Sequence, residues 1–214
     1  MTGVVLAFLV RLATGARLLG DLPEDGKRRI YFANHSSHLD FVVIWAALPG
    51  RQRAWTRPVA AAEYWEKTPL RRWLASRIFN AVLIPRDLAR MRSEDPLGKM
   101  LDALDAGADL IVFPEGTRSD TGAVGSFKPG LHHLATKRTE TLLIPVFLEN
   151  LSRILPKGEH LPLPLVGQAV FGEPIPGPAE GEHKIAFLKR ARDSVMHLSH
   201  GHLIPADSDS DERY

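Results

Sequence analysis

The sequence contains no cysteine among its 214 residues. This absence excludes disulfides, thiolate zinc sites, iron–sulfur clusters and a cysteine nucleophile. The chain also shows no internal repeat and no internal domain boundary. Its hydrophobic fraction of 44% and its charged fraction of 24% are ordinary for a globular protein. We therefore predict a single domain over residues 1–206, with a sizeable buried core.

A long apolar run is missing as well. Residues 4–19 are mostly apolar, but Arg11 and Arg17 interrupt them and no positively charged segment precedes them, which argues against a cleaved signal peptide. As a helix this run would reach about 24 Å, short of the roughly 30 Å hydrocarbon core of a bilayer. An arginine near its middle would cost about 2.5–3.5 kcal/mol. We predict that residues 1–20 form an interfacial, membrane-associating helix with its arginines among the headgroups. The alternative is an amphipathic helix that packs on its own domain.

Charge is distributed unevenly along the chain. The net charge is +2, but residues 207–214 hold four acids and one arginine, a net charge of −3, which leaves +5 on residues 1–206. We predict that the acidic tail, residues 207–214, is disordered and solvated.

The basic excess is concentrated in residues 51–77, which contain seven arginines and lysines but only two glutamates. Trp55, Tyr64, Trp65 and Trp73 are interleaved with these charges. Such a segment could bind nucleic acid or an anionic membrane surface. No known nucleic-acid module is present, and the apolar N-terminus favours the membrane. The alternative is a solvated basic helix face with its tryptophans in the core.

Short apolar runs alternate with helical patterns along the rest of the chain. We predict strands at residues 29–33, 81–84, 109–113, 142–147 and 165–171, and helices at residues 41–48, 68–79, 96–105, 131–136 and 183–199. In the last helix, the apolar face is predicted to contain Ile185, Leu188, Ala191, Val195 and Leu198. Residues 151–164 are predicted to form a proline-rich loop. This order predicts an α/β fold with a largely parallel central sheet flanked by helices.

Ligands of such sheets bind beyond the carboxyl ends of the strands. His35, Arg86 and the turn at residues 115–118 each follow a predicted strand. We therefore expect all three to line one crevice.

His35 and Asp40 form the first candidate pair. On one continuous helix they would lie about 140° apart and could not touch. If His35 lies in the loop and Asp40 in the first helical turn, the two side chains can meet. The carboxylate would then fix the tautomer of the ring and leave its other nitrogen free as a base. Histidine suits that task because its ordinary pKa is about 6.5.

Two other interpretations of this segment stay open. Ser37-His38-Leu39-Asp40 is similar to a capping box, so Asp40 could serve only to cap a helix. His35, His38 and Asp40 are also possible metal ligands, although no further tight cluster of histidines or carboxylates accompanies them.

The turn Glu115-Gly116-Thr117-Arg118 forms a second candidate site. Gly116 allows a positive φ or the close approach of a ligand. The planar fork of Arg118 matches a phosphate, and Arg86 could supply a second fork. The alternative is a local Glu115–Arg118 ion pair, with Arg86 on the surface.

The order of these motifs resembles the glycerolipid acyltransferase family, which includes the 1-acyl-glycerol-3-phosphate acyltransferases. The resemblance rests on the His-x4-Asp spacing, on Leu83-Ile84-Pro85-Arg86, on Phe113-Pro114-Glu115-Gly116-Thr117-Arg118-Ser119, and on a strand with a proline at residues 143–146. The segments Ser126-Phe127-Lys128-Pro129-Gly130 and Phe171-Gly172-Glu173-Pro174-Ile175 also look like the family. Together these motifs cover residues 30–176.

The resemblance implies a glycerol-phosphate acyltransferase-like fold. It also implies acyl transfer from acyl-CoA or acyl carrier protein to the free hydroxyl of lysophosphatidate or another lysolipid. Residues like His35 and Asp40 would act as general base and orienting carboxylate, and residues like Arg86, Glu115, Gly116, Thr117 and Arg118 would bind the acceptor. No cofactor, metal or nucleic acid is implied. We expect a peripheral or monotopic protein on the cytoplasmic face of the cell membrane. An acyl-thioester hydrolase and a non-enzymatic membrane-binding module are the alternatives.

Overall fold

A computed structural model describes residues 2–14, 18–19, 26–37, 40–119, 123–149 and 168–201. The predicted loop at residues 151–164 and the predicted acidic tail lie outside these residues. The described chain forms a seven-stranded sheet flanked by helices on both faces. The predicted α/β class and largely parallel sheet are confirmed.

The strands, in chain order, have the following bounds. They are β1 Leu18–Leu19, β2 Arg29–Ala33, β3 Thr56–Ala61, β4 Val82–Ile84, β5 Asp109–Val112, β6 Leu142–Glu149 and β7 Gln168–Phe171. Their order in the sheet is β1-β7-β6-β2-β5-β3-β4. Neighbouring strands are parallel except β6 and β7, which pair antiparallel.

The helices follow the same convention. They are α1 Thr2–Thr14, α2 Asp40–Ala47, α3 Gly50–Trp55, α4 Ala62–Trp65, α5 Pro69–Trp73, α6 Leu88–Glu94, α7 Pro96–Asp105, α8 Gly130–Lys137 and α9 Lys184–Gly201, with a π-helical turn at Leu74–Ile78. The predicted helix at residues 68–79 is therefore split, because its second half winds into the wider π-helical turn.

The alternation of side chains along β2 builds two core layers, one on each face of the sheet. Tyr31 and Ala33 point into the layer that contains α1, α2 and the π-helical turn. Ile30 and Phe32 point into the layer that contains α7, α8 and α9. Every residue of β2 and of β5 is buried, as expected for central parallel strands covered by helices on both faces.

Strand β3 was missed by the sequence analysis, which treated residues 51–77 as one basic, aromatic segment. The strand runs Thr-Arg-Pro-Val-Ala-Ala, and both its proline and its lack of a large apolar run disfavour a strand assignment. It forms nevertheless between β5 and β4. The tryptophans of this segment divide between environments: Trp65 packs against the core, whereas Trp55 and Trp73 are exposed.

The N-terminal helix α1 is shorter than predicted and ends at Thr14, after which Leu18–Leu19 pair with β7 at the sheet edge. The prediction that Arg11 lies among headgroups was wrong. Its guanidinium instead donates to the carbonyl oxygens of Ala46, Ala47 and Leu48, at the C-terminus of α2. A cation there satisfies carbonyls that have no partner within the helix. Arg17 lies outside the described residues.

Within the described part of the chain, no helix is both long and apolar enough to cross a membrane. The outer face of α1 is nevertheless apolar and exposed. It carries Val4, Val5, Phe8, Leu9 and Leu12.

Helix α9 keeps most of the predicted apolar face and differs from the prediction in its first turn. Ile185 was predicted to be buried but is 67% exposed, whereas Phe187, Leu188, Ala191 and Val195 are buried against the sheet. The spacing of residues 188, 191 and 195 was interpreted correctly. The error lies in the first turn, where Phe187 contributes the buried side chain.

Candidate active site

The site begins where β2 leaves the sheet. Asn34 is buried, and its side-chain amide exchanges two hydrogen bonds with the main chain of Leu148 on β6, at 3.1 and 2.8 Å. The Asn34 side chain thus extends the parallel pairing of β2 with β6 by one residue, because it makes the hydrogen bonds that a main chain would make there. They fix the point at which the chain turns out of the sheet towards His35.

His35 and Asp40 meet as the bent-loop prediction requires. Nδ1 of His35 lies 2.7 Å from Oδ2 of Asp40, and α2 begins at Asp40. The Asp40 side chain is completely buried, whereas that of His35 is 13% exposed. The same Oδ2 atom accepts the main-chain N–H groups of Ser36 and Ser37, at 2.7 and 2.9 Å. Asp40 thus closes the loop in front of its helix and also holds the imidazole.

This geometry defines the chemistry of the ring. A carboxylate only accepts hydrogen bonds, so the His35 nitrogen that faces it, Nδ1, carries the proton. The remaining nitrogen, Nε2, then has a free lone pair. The pair can therefore accept a proton from a molecule bound next to the ring.

A cavity of about 300 Å³ opens beside His35 at the carboxyl end of the sheet. It is lined by His35, Phe41, Val59, Ala60, Ala61, Tyr64, Trp65, Arg86, Met100, Val112, Phe113, Pro114, Gly116, Arg118, Lys128, Gly130, Leu131 and Leu134. The cavity joins three of the predicted positions, His35, Arg86 and the turn that contains Gly116 and Arg118. Thr117 is exposed and lies outside this lining.

Three cations lie on the wall of this cavity. Arg86 and Arg118 were expected there, whereas Lys128 was missed by the sequence analysis. Among the described residues, no ion pair joins any of the three to a carboxylate. The signal that could have found Lys128 is its segment, Ser126-Phe127-Lys128-Pro129-Gly130, which was noted for its resemblance but given no role.

Gly116 brings Lys128 close to the turn. Its φ is +71°, a left-handed conformation that favours glycine. A Cβ atom at this position would lie 2.7 Å from Nζ of Lys128. The backbone angle therefore favours glycine, and a side chain at this position would also displace the end of Lys128.

Glu115 does not form the local ion pair with Arg118 that was considered as an alternative. It is buried, and its two oxygens accept main-chain N–H groups, Oε1 from His35 at 2.8 Å and Oε2 from Gly125 at 3.0 Å. Burial raises the pKa of the Glu115 carboxyl, and the hydrogen bonds from His35 and Gly125 act in the opposite direction.

The loop that carries Arg86 is held by a residue that sequence reasoning also missed. Oε1 of Glu63, on α4, accepts the main-chain N–H groups of Arg86 and Asp87, at 2.9 and 3.4 Å. Asp87 in turn accepts the N–H groups of Ala89 and Arg90 and caps α6. The main chain of Arg86, one of the residues that line the cavity, is thus held in place.

The metal interpretation of the His35 segment stays open. No group of three or more metal-ligating side chains is found among the described residues. His38, one of the three possible ligands, lies outside them.

Comparison with known proteins gives several matches. The chloroplastic 1-acyl-sn-glycerol-3-phosphate acyltransferase LPAT1 of Arabidopsis thaliana is 30% identical over 148 residues, which cover 66% of this chain and 37% of the plant protein. The human 1-acyl-sn-glycerol-3-phosphate acyltransferase alpha is 31% identical over 127 residues, which cover 56% of this chain and 40% of the human one. The chain thus matches less than half the length of either relative.

The crystal structure of the 1-acyl-sn-glycerophosphate acyltransferase PlsC from Thermotoga maritima superimposes with a TM-score of 0.72 at 22% identity. The superposition covers 96% of this chain and 80% of PlsC, and it supports the fold. A model of the acyltransferase family matches residues 18–149, more than half of the chain. The chain therefore belongs to the acyltransferase family.

Proposed function

We propose that the protein transfers a fatty acyl group from acyl-CoA or acyl carrier protein to the free hydroxyl of 1-acyl-glycerol-3-phosphate, forming phosphatidate. The observation that carries this proposal is the cavity, whose lining contains His35, held by Asp40, together with Arg86, Arg118 and Lys128. The names of the relatives from Arabidopsis thaliana and Homo sapiens support the same acceptor.

In the proposed reaction His35 is the general base. Its Nε2 takes the proton of the acceptor hydroxyl while the hydroxyl oxygen attacks the thioester carbonyl carbon. The tetrahedral intermediate then collapses, the carbon–sulfur bond breaks, and the leaving thiolate takes the proton from the imidazolium. The products are the new ester and a free thiol. Proton transfer of this kind contributes about 10²–10⁴-fold to the rate, and Asp40 stabilises the imidazolium that forms.

The positive charge of the three cations is complementary to the negative charge of the proposed acceptor. A phosphate monoester carries nearly two negative charges at neutral pH. Arg86, Arg118 and Lys128 supply three positive charges in the lining of the cavity. Guanidinium forks bind phosphate oxygens in pairs, and lysine adds a point charge. A dianionic phosphate would balance these charges better than a neutral headgroup.

The apolar walls of the cavity suit hydrocarbon chains. Phe41, Tyr64 and Trp65 line it on the α2 and α4 side, and Met100, Leu131 and Leu134 line it on the α7 and α8 side. The lining thus combines cations with apolar side chains around His35, as a substrate with a charged head and an apolar tail requires.

We also propose that the protein works on the cytoplasmic face of the cell membrane as a peripheral or monotopic protein. The exposed apolar face of α1 supports this, since Phe8 is 64% and Leu12 is 74% exposed. Leu70 and Trp73 on α5 add exposed apolar area beside the basic Arg72. The proposed reaction needs no cofactor and no nucleic acid.

Thiol release from acyl-CoA or acyl carrier protein tests the proposal, with detergent-dispersed lysophosphatidate present and then absent. We expect release only with the acceptor, together with phosphatidate, and a loss of at least 10²-fold in His35→Ala. Thiol release without acceptor would indicate a hydrolase. Thiol release only with another lysolipid would identify that lysolipid, and not lysophosphatidate, as the acceptor. Full turnover by His35→Ala would contradict the mechanism, and vesicle binding without any turnover would favour a non-enzymatic module.

A further inference from the structure

The side chain of Glu115 bridges two loops at the edge of the site. Oε1 accepts the main-chain N–H of His35, 80 residues away along the chain, and Oε2 accepts the N–H of Gly125. The residue is only 6% exposed. Both carboxylate oxygens therefore face protein main chain.

This position differs from that of the neighbouring residues in the same turn. Pro114, Gly116 and Arg118 line the cavity, whereas the Glu115 carboxylate lies behind them. A substrate hydroxyl that reached this carboxylate would have to displace one of the two N–H donors. A buried main-chain N–H left without an acceptor is costly. Glu115 is thus poorly suited to bind the acceptor directly.

Glu115 also needs its negative charge for this contact. A carboxylate offers a strong acceptor oxygen to each of the two N–H donors, whereas a protonated carboxyl accepts less strongly and carries an O–H donor of its own. Burial raises the pKa of Glu115 overall, and the hydrogen bonds from the two N–H groups offset part of that rise. In its ionised form the carboxylate is a charge-assisted clamp on the main chain of His35.

The remainder of His35 is held by the same turn. Its carbonyl oxygen accepts the N–H of Ser119 at 2.7 Å, and its ring stacks on Phe113 with centroids 4.3 Å apart. The N–H, the carbonyl and the ring of His35 are thus each fixed by residues of the segment 113–119. Because Asp40 reaches only Nδ1, a main-chain shift at His35 would move the ring relative to this carboxylate.

We propose that Glu115 is a positioning residue that acts through the main chain of His35 and is not a ligand of the acceptor. This inference rests on the proposed function, in which His35 is the base. Catalytic groups must be held to within about 0.5 Å of their productive geometry. Glu115 supplies that restraint at the main-chain N–H of His35, whereas Asp40 acts at the ring nitrogen Nδ1.

Gly125 gives the proposal an independent test. A Cβ atom on this glycine would lie 2.7 Å from Oε2 of Glu115 and would force the carboxylate away from it. The segment cannot easily retreat, because Arg192 on α9 donates to the carbonyl oxygens of Val124 and Gly125. Gly125→Ala should therefore disturb the clamp without altering any side chain of the cavity wall.

The first variant is Glu115→Gln. Glutamine keeps the size of the side chain but has one acceptor oxygen, so one of the two N–H groups would face its NH2 group. We expect kcat to fall about 10- to 100-fold. The KM for lysophosphatidate should stay within about twofold of the wild-type value, since no substrate contact is lost.

Gly125→Ala should reproduce this loss of kcat with an unchanged KM. Gly177→Ala is the matched control, because a Cβ atom there meets no described residue within 4 Å. Thermal unfolding of each variant identifies any loss of fold. If Glu115→Gln does not fold, Gly125→Ala decides the question alone.

A second measurement does not depend on activity. ¹⁵N NMR of the histidine ring nitrogens, at a pH where the rings are neutral, reports which nitrogen of His35 carries the proton. We expect the shift difference between Nδ1 and Nε2 to narrow in Glu115→Gln and Gly125→Ala, because the ring is held less firmly on Asp40. Gly177→Ala should match the wild type.

The outcomes are distinct. A raised KM with wild-type kcat in Glu115→Gln would overturn the proposal and indicate direct contact with the acceptor. Wild-type kcat and wild-type ¹⁵N shifts in Gly125→Ala would overturn it too. If the wild-type protein transfers no acyl group to any acceptor, the proposed function fails, and the NMR measurement still decides whether Glu115 positions His35.

Discussion

One oxygen of Asp40 holds both the ring of His35 and the loop that carries it. Oδ2 lies 2.7 Å from Nδ1 of His35 and also accepts the main-chain N–H groups of Ser36 and Ser37. On one continuous helix the two residues would lie about 140° apart. The loop therefore has to bend, and this shared acceptor holds the bend that brings the two side chains together. Orientation of the base and charge for the imidazolium thus come from the same atom.

Replacement of Asp40 by asparagine should show how much the charge contributes. If the amide oxygen takes the place of Oδ2, the NH2 group becomes a buried donor at Oδ1, which has no hydrogen-bond partner among the described residues. If the NH2 group takes the place of Oδ2 instead, it faces three N–H donors, namely Nδ1 of His35 and the main chains of Ser36 and Ser37. Either way the imidazolium loses its counter-charge, and we expect kcat to fall about 10²–10⁴-fold.

The KM for the acceptor should change little in Asp40→Asn, because the carboxylate is completely buried behind His35. Steady-state thiol release measures both constants. Asp193→Asn, which removes a surface carboxylate paired with Lys189, is the control and should keep wild-type kcat. Activity of Asp40→Asn within about threefold of that control would contradict the dyad.

The parts of this site that could be predicted are those set by local sequence. Strands β2 and β5 are apolar runs buried on both faces, and their ends give the positions of His35 and of the turn at residues 115–118. The parallel arrangement then puts both at the same edge. The five-residue spacing of His35 and Asp40 was sufficient to predict that they meet only if the chain bends.

The parts that could not be predicted depend on contacts between distant residues. The bond between Glu115 and the main chain of His35 joins positions 80 residues apart, and no local pattern encodes it. Arg11 was assigned to headgroups because it interrupts an apolar run, but its partners are the last carbonyls of α2. Strand β3 contains Pro58 and Arg57, so tertiary pairing outweighs its weak strand propensity.

The contact between Arg11 and α2 should contribute measurably to stability. Arg11→Met keeps most of the apolar stem but leaves carbonyl oxygens of Ala46 and Ala47 without this donor. Hydrogen bonds from a charged donor to a helix C-terminus stabilise by about 1.5–3 kcal/mol. For a chain of this size, in which 1 kcal/mol corresponds to about 2–4 °C, we expect the Tm to fall by about 3–12 °C.

Differential scanning calorimetry without lipid measures this change. Arg51→Met is the control, because Arg51 is exposed on α3 and no hydrogen bond of its side chain is found among the described residues. A Tm of Arg11→Met equal to that of Arg51→Met would show that the capping contact contributes nothing to stability.

The outer face of α1 should govern binding to lipid. Phe8 and Leu12 lie one turn apart on this face and are more than half exposed. Each apolar side chain of this size gains about 1.5–3 kcal/mol when it is buried. Changing both to serine should therefore weaken binding to vesicles of phosphatidylcholine and phosphatidylglycerol by about 100-fold or more.

Co-sedimentation with these vesicles measures the binding. Ile185→Ser removes an equally exposed apolar side chain from α9 and should leave binding unchanged. Equal losses in the two variants would mean that α1 is not the lipid-facing surface, and unchanged binding in both would mean that another segment attaches the protein.

Gly116 allows the proposed phosphate site to be tested without removal of a charge. Gly116 and Gly181 have similar positive φ angles, +71° and +77°. An alanine at either position would be strained by about 1–2 kcal/mol. At Gly116 the new Cβ atom would also displace Lys128. At Gly181 no residue in the described part of the chain lies within 4 Å of a Cβ atom. The two variants thus share the backbone strain and differ in the lysine.

We expect Gly116→Ala and Gly181→Ala to lower the Tm by similar amounts. Only Gly116→Ala should raise the KM for lysophosphatidate, by about 10-fold, because a displaced Lys128 contacts the phosphate less well. The kcat at saturating acceptor should change much less, since Lys128 is proposed to bind the headgroup and not the reacting hydroxyl. An unchanged KM in Gly116→Ala would remove Lys128 from the proposed phosphate site and leave Arg86 and Arg118 as its cations.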